Sequence, residues 1–264
     1  MKVIINFLRN LVFIIIYKNI NIYYLILKIS NFSDFLLPHE KEIYGFKKLK
    51  YNKNKFLIDV GSGNGLFLRS INKIGYNGKA ICIDPLDENK IIFKNIVKNN
   101  KKILFYSKAV SNKKKIYLYT PFADQIRLNN WTSTSKKEII QNLKAANFNL
   151  DIKKIKFYKK KFNCIKLNNF IKKKIAIIKI DVEGSELNVI KSGINLIKKH
   201  KPIIYLENNK RKKNETNFVK IRPILNKYNY KCFFYDYNKD EFNEKYNDQV
   251  NNIFFLIEKK HLIK

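Results

Sequence analysis

The run IAIIKI, Ile175 to Ile180, constrains the fold of this chain most. A β-branched stretch this apolar reads as a strand buried on both faces, the pattern of a parallel sheet covered by helices. Comparable short runs stand at FLIDV (56–60), KAICID (79–84), ILFYSKAV (103–110) and PIIYLE (202–207). Helix-length stretches separate them: a glycine turn and helix through about Ile74, one from Asp87 to about Asn99, one from Ser185 to Lys199, and one over Thr216–Tyr228. Alternating strand and helix signals predict an α/β, doubly wound, mostly parallel sheet. Two last strands, KCFFYDY (231–237) and NNIFFLIE (251–258), are joined too closely for a helical crossover and should be antiparallel. An insertion interrupts this series, with IYLYT (116–120) expected to pair with KIKFYKKKFN (154–163) after the polar Asn129–Ser135 loop.

The chain of 264 residues is long enough for one sizeable core with an appendage. We expect an apolar helical appendage over residues 1–50 and the main domain over 51–264. The longest unbroken apolar run near the start, Leu11 to Tyr17, is far short of the roughly 20 residues that span a bilayer. No alanine precedes Ala80, so a small-residue cleavage site is missing and a cleaved signal peptide is not expected. Residues 1–29 read as a helix that packs on the domain or rests on a membrane surface.

Lysine and arginine number 54 against 21 aspartates and glutamates, a net charge of +33. Such a balance suits an anionic partner. Yet only five of the basic residues are arginine, the stronger reader of phosphates and bases. The lysines are scattered, and the surplus of Lys, Asn, Ile, Tyr and Phe matches drift toward A+T-rich codons. No specific nucleic-acid partner is therefore expected. Cys82, Cys164 and Cys232 lie far apart in apolar strand-like contexts, which reads as buried thiols in a reducing compartment. No histidine pair stands at metal-ligand spacing, and no metal ligand is assigned.

DVGSGNG, Asp59 to Gly65, follows a strand and opens a helix. Glycines there admit positive φ and let a ligand lie against the backbone. The spacing is G-x-G-x-G, and the lysine of a phosphate-cradling loop is absent. Asp84, at the end of the second strand, stands where an acid accepts ribose hydroxyls. A tight turn with Asp84 capping the next helix is the structural alternative. The glycine spacing and the acid at Asp59 favour an adenosine ligand whose reactive group is a cation, S-adenosylmethionine (SAM).

Lys179, Asp181 and Glu183 close the central run at alternating positions, so they share a face if the strand persists that far. Such charges need partners when buried. A structural ion cluster, with Asp181 or Ser185 capping the next helix, is one reading; a catalytic row is the other. A Mg²⁺ on Asp181 and Glu183 is a lesser reading. Trp131 and the Ser133–Ser135 hydroxyls read either as a sugar-stacking group or as packing of the insertion.

The segments LIDVGSGNGLF (57–67), CIDPLDEN (82–89), KAVSNKKK (108–115), IIKIDVEGSELNVIKSG (177–193) and KPIIYLE (201–207) together resemble the FkbM family of SAM-dependent methyltransferases. The late NNIFFL (251–256) joins them. The resemblance implies a class I methyltransferase (Rossmann-like) sheet and methylation of a hydroxyl on a sugar or glycan. The expected location is the cytoplasm, with residues 1–29 packed on the domain or in peripheral contact with a membrane. Cofactor contacts are expected at Asp59, Gly61, Ser62, Gly63, Gly65 and Asp84, and a fold-level analogy adds Ser107 and Ala109 flanking the adenine. In such a sheet ligands sit beyond the carboxyl ends of the strands, so Asp181 is expected as base or hydroxyl orienter, Glu183 in the same network, and Lys179 as the cation that keeps the acids ionised. Two departures stand out. The acid after the second strand is Asp84 where Glu is common, and LNNF carries Asn168 where an acid is usual, so Asn168 receives no role. The competing functions are a nucleic-acid methyltransferase, which lacks the Pro-aromatic signature after DVEG, and a non-catalytic membrane-associated nucleotide-binding protein.

Overall fold

The computed structural model describes residues 40–123, 126–128, 131–145, 151–207, 217–244 and 252–262. Residues 1–39, most of the expected appendage, lie outside the described residues. The chain divides into two compact units, one over Leu37–Ile116 and Lys161–Lys264 and a smaller one that includes Tyr117–Lys160.

In chain order the elements begin with a 3-10 helix at Lys41–Lys48, β1 (Phe56–Val60), α1 (Leu66–Lys73), β2 (Lys79–Ile83) and α2 (Asp87–Asn99). Next come β3 (Ile103–Tyr106), β4 (Ala109–Val110), β5 (Lys115–Ala123), β6 (Ile126–Arg127), α3 (Lys136–Ala145) and β7 (Lys156–Ile165). The remainder is β8 (Ile175–Ile180), α4 (Glu186–Ser192), α5 (Ile194–His200), β9 (Ile203–Glu207) and α6 (Asn217–Asn226). β10 (Lys231–Asp236), β11 (Glu241–Asn243), β12 (Asn252–Leu256) and α7 (Glu258–His261) complete the series.

The larger unit holds an eight-stranded sheet in the order β11-β10-β12-β9-β8-β1-β2-β3. β3, β2, β1, β8 and β9 run parallel, whereas β12 is antiparallel to both β9 and β10. All six residues of β8 are buried, as its composition demands of a central strand. Side chains alternate between two cores. Ile58, Ile178 and Ile204 face Val189, Ile190 and Leu196 of α4 and α5. Leu57, Ile177 and Ile203 face Phe67, Leu68 and Ile71 of α1. The 3-10 helix adds Phe46 to the second core, where its ring meets Tyr205 and Phe254 at centroid distances of 5.4 and 5.1 Å. Full burial of such side chains stabilises by roughly 1.5–3 kcal/mol apiece.

Two expectations are corrected here. ILFYSKAV does not form one strand: the chain bends at Ser107 and Lys108, with Lys108 N–H donating to Tyr106 O at 2.9 Å. β3 therefore stays in the large sheet, and β4 pairs with the last residues of β7 through Ala109↔Cys164 and Val110↔Ile165. The helix expected over Ser185–Lys199 is two helices that meet at Gly193. A Cβ there would lie 2.8 Å from the Leu167 side chain, so only glycine lets the two segments approach. Asn168, left without a role, accepts Leu196 N–H on Oδ1 at 3.0 Å and caps the second of these helices.

In the smaller unit β7, β5 and β6 are neighbours in that order, as the pairing of the insertion's two segments requires. α3 packs Ile139 and Leu143 on Ala123, Leu128 and Ile155. Ser135 Oγ accepts Glu138 N–H at 3.3 Å at the start of α3, and Ser133 Oγ donates to Glu138 Oε2 at 3.1 Å. Trp131 packs against the same cluster. The loop's hydroxyls thus hold the entry to a helix, and its tryptophan joins a core.

Candidate active site

Asp59, Lys179 and Tyr205 are in-register neighbours across β1, β8 and β9, so their side chains stand in a row on the α1 face. Asp59 and Tyr205 are wholly buried and Lys179 is nearly so. Lys179 Nζ lies 3.4 Å from Asp59 Oδ1 and 3.2 Å from Asp181 Oδ2, and donates to Gly61 O at 2.8 Å. Burial opposes the charge on Lys179, but Asp181, Asp59 and Glu40 outweigh it and hold the ammonium well above the usual lysine range. Burial pushes the Asp59 carboxyl up, and Lys179 beside it pulls it back. Tyr205 extends the row by donating from its hydroxyl to Glu40 Oε2 at 3.0 Å.

The glycine turn hangs over this row. Gly61, Gly63 and Gly65 all have positive φ. A Cβ on Gly61 would fall 1.7 Å from Asp181 O, so the turn and the end of β8 can touch only through a glycine. At Gly63 nothing lies within 4 Å of the same position, which leaves the backbone open to a ligand. The Ser62 hydroxyl turns inward, donating to Asp59 O at 2.7 Å and accepting Ile83 N–H at 2.9 Å. Its side chain braces the turn from within.

Asp84 is buried and accepts three hydrogen bonds, from Gly63 N–H at 3.0 Å, Leu86 N–H at 2.9 Å and Asn89 Nδ2 at 2.8 Å. Burial raises its pKa, and those bonds lower it in part. A carboxylate has about four acceptor sites, so one remains for a ligand hydroxyl. Leu86 is the N-cap of α2 and no side chain caps that helix, so Asp84 braces the turn before it and keeps room for a ligand. Ser107 is exposed after β3, and Ala109 is buried in β4.

The face-sharing row of Lys179, Asp181 and Glu183 needs correction. β8 ends at Ile180, and Glu183 and Gly184 both take positive φ. Glu183 is aimed by a turn and not by strand alternation. Neither Ser185 nor Asp181 caps the helix that follows; Glu186 Oε1 instead accepts Gly184 N–H at 2.9 Å and Val182 N–H at 3.3 Å. The side chain of Asp181 is 38% exposed, so it links the buried ion pair to solvent.

Two acids that the sequence reading passed over complete the site. Glu207, the last residue of β9, brings a carboxyl oxygen within 4.8 Å of oxygens of Asp181 and Glu183. Burial, and then the charges of Asp181, Glu183 and Glu186, push its carboxyl well above the usual range. Glu40 lies beside the 3-10 helix and faces Lys179 and Asp181; burial raises its pKa, and bonds to Asn252 and Tyr205 oppose that. Position alone could have flagged Glu207, an acid at the carboxyl end of the strand beside β8. Nothing local marks Glu40, which reaches the site only through tertiary packing.

A doubly wound sheet with β12 reversed, a glycine turn after β1 and an acid after β2 is the class I methyltransferase arrangement. The FkbM methyltransferase domain matches residues 41–232, and the chain belongs to that family. Among solved structures it is similar to the FkbM methyltransferase of Methylobacillus flagellatus KT, at 12% identity and a TM-score of 0.48. That match covers 80% of this chain and 47% of the other, so the chain spans about half the length of that relative. Precorrin-6y C5,15-methyltransferase from Geobacter metallireducens GS-15 matches at 9% identity and a TM-score of 0.38, over 80% of this chain and 82% of that one. The Methanococcus jannaschii fibrillarin pre-rRNA processing protein matches at 12% identity and a TM-score of 0.40, over 80% and 71%. No curated protein matches the chain. Among the described residues no helix is long and apolar enough to cross a membrane.

Proposed function

We propose that this protein transfers the methyl group of SAM to a hydroxyl of a sugar or glycan. One observation carries the reading: the open backbone at Gly63 belongs to the turn whose Gly61 carbonyl accepts from Lys179, a cation outnumbered by the carboxylates facing it. A sulfonium is a cation, and such a surplus of negative charge favours it. The adenosine ribose would reach Asp84, with Ser107 and Ala109 near the adenine and Asp59, Gly61, Ser62 and Gly65 shaping the turn. The acceptor hydroxyl would meet Asp181, the solvent-open partner of Lys179. Its oxygen takes the methyl carbon, the C–S bond breaks to leave S-adenosylhomocysteine, and the hydroxyl proton passes to the Asp181 carboxylate or through it to water. Glu183 stands beside Asp181 to orient the same hydroxyl. The family resemblance supports an acceptor of sugar or glycan class.

Isothermal titration tests the cofactor: SAM and S-adenosylhomocysteine should bind, with NAD far weaker. Equal or tighter NAD binding would overturn the assignment. Transfer from radiolabelled SAM to a library of sugars tests the acceptor. Incorporation into RNA or DNA in place of sugars would move the activity to a nucleic-acid methyltransferase. Binding of SAM with no transfer to any acceptor would leave a nucleotide-binding protein.

A further inference from the structure

In the smaller unit, Tyr117 and Tyr119 of β5, Phe157 and Lys159 of β7, and Lys136 at the start of α3 form one row. Rings and ammonium groups alternate along it. Lys159 Nζ lies 4.3 Å from the centre of the Tyr117 ring and 5.9 Å from that of Tyr119. Lys136 Nζ lies 5.2 Å from the centre of the Tyr119 ring and 5.3 Å from that of Phe157. Two like charges thus converge on one ring, Tyr119. The ring attracts each ammonium and leaves their mutual repulsion in place. Among the described residues no carboxylate stands within ion-pair distance of either lysine. Other exposed lysines do meet acids: Lys48 meets Asp240, Lys154 meets Asp151, and Lys231 meets Glu244 and Glu258. Lys136 and Lys159 are both exposed and Tyr117 is 47% exposed, so the row faces water.

We propose that this row binds an acidic polysaccharide, with a uronic-acid carboxylate set between Lys136 and Lys159. The rings already fix where the two ammoniums stand, so less side-chain freedom is lost when an anion meets both. The exposed Tyr117 ring offers an apolar surface for the C–H face of a neighbouring sugar. Single-stranded nucleic acid fits this surface less well. Its binders stack bases on open aromatic faces and hold phosphates best with arginine. Here ammoniums stand over the rings, and the row contains no arginine. Binding of the polymer stands by itself. Its use rests on the methyl-transfer reading, in which this surface would hold the acidic part of the glycan acceptor and lower its KM.

The test is titration of the full-length protein against fluorescently labelled oligogalacturonate, read by anisotropy at low and at physiological salt. Binding should weaken as salt rises, and a neutral maltooligosaccharide should not compete. Lys136→Gln combined with Lys159→Gln should weaken binding at least about tenfold. Lys137→Gln combined with Lys144→Gln removes the same charge from exposed positions outside the row, and should change binding by less than about twofold. Equal losses in the two double variants would reveal a diffuse effect of net charge and overturn the proposal. Absence of binding at low salt would do the same, as would an RNA oligonucleotide held more tightly through the same two lysines. Circular dichroism monitors folding; if a double variant unfolds, the single variants decide, each expected to lose about threefold. Calorimetric SAM affinity is measured on the same proteins. Glycan binding that fails while SAM still binds refutes this inference and leaves the methyltransferase reading standing.

Discussion

Lys179 stands directly across from Asp59 in the register of β8 against β1, with 3.4 Å between Nζ and Oδ1. Two charges deep in a sheet tolerate each other only as a pair. Lys179→Met should therefore cost about 3–5 kcal/mol, because Asp59 would be left buried without a counter-charge. Lys179→Met combined with Asp59→Asn should recover a large part of that loss. Urea unfolding of both variants measures it, and a single variant as stable as wild type would refute the pairing.

Asp181→Asn keeps the shape of the side chain and removes the proton acceptor. Methyl transfer should fall by about 10²–10⁴, with SAM affinity barely changed. A merely structural role predicts a different pattern, in which activity follows the folded fraction in thermal scans. Glu183→Gln should lower the rate less.

The glycines of the turn should behave differently from one another. Gly61→Ala drives a Cβ into Asp181 O and should prevent folding or lower the melting temperature severely. Gly63→Ala meets empty space, so it should cost only the roughly 1–2 kcal/mol of a left-handed backbone. That variant should fold yet bind SAM weakly, since the new methyl group covers the open backbone. Normal SAM affinity in folded Gly63→Ala would remove this loop from the cofactor site.

His261 is a pH-sensitive element of stability. Nδ1 accepts Ile257 N–H at 3.0 Å, so the ring is neutral with its proton on Nε2, which donates to Lys201 O at 3.0 Å. Burial, helped by Lys260, lowers its pKa from 6.5 to about 4. Between those values the unfolded chain binds the proton more readily than the folded one. Stability should fall as pH drops from about 6.5 to about 4 and level off below, by up to about 3 kcal/mol. Denaturant unfolding at pH 7 and pH 4.5 reads the loss. His261→Asn should shrink this pH dependence, and an unaltered slope would assign the acid sensitivity elsewhere.

Much of the larger unit is legible from residues near each other in the chain. IAIIKI reads as a central strand, and DVGSGNG as a glycine turn that admits positive φ. Asp84, one strand along, follows from the period of the α/β repeat. These features rest on local sterics and on burial of apolar surface, which a linear pattern carries. The antiparallel end of the sheet was also readable, because too few residues join β10 and β12 for a crossover.

Other features depend on which strands become neighbours. Asp59 and Lys179 are 120 positions apart in the chain, and only the β1–β8 register makes them an ion pair. Glu207 looks like an ordinary strand-end acid until β9 docks beside β8, and Glu40 reaches Tyr205 only because Phe46 anchors its segment in the core. The break at Gly193 follows from the approach of Leu167, which helix propensity does not register. Local chemistry thus set the strands and the turn. The electrostatics of the site came from long-range packing, since the energy of a buried charge depends on what the fold places beside it.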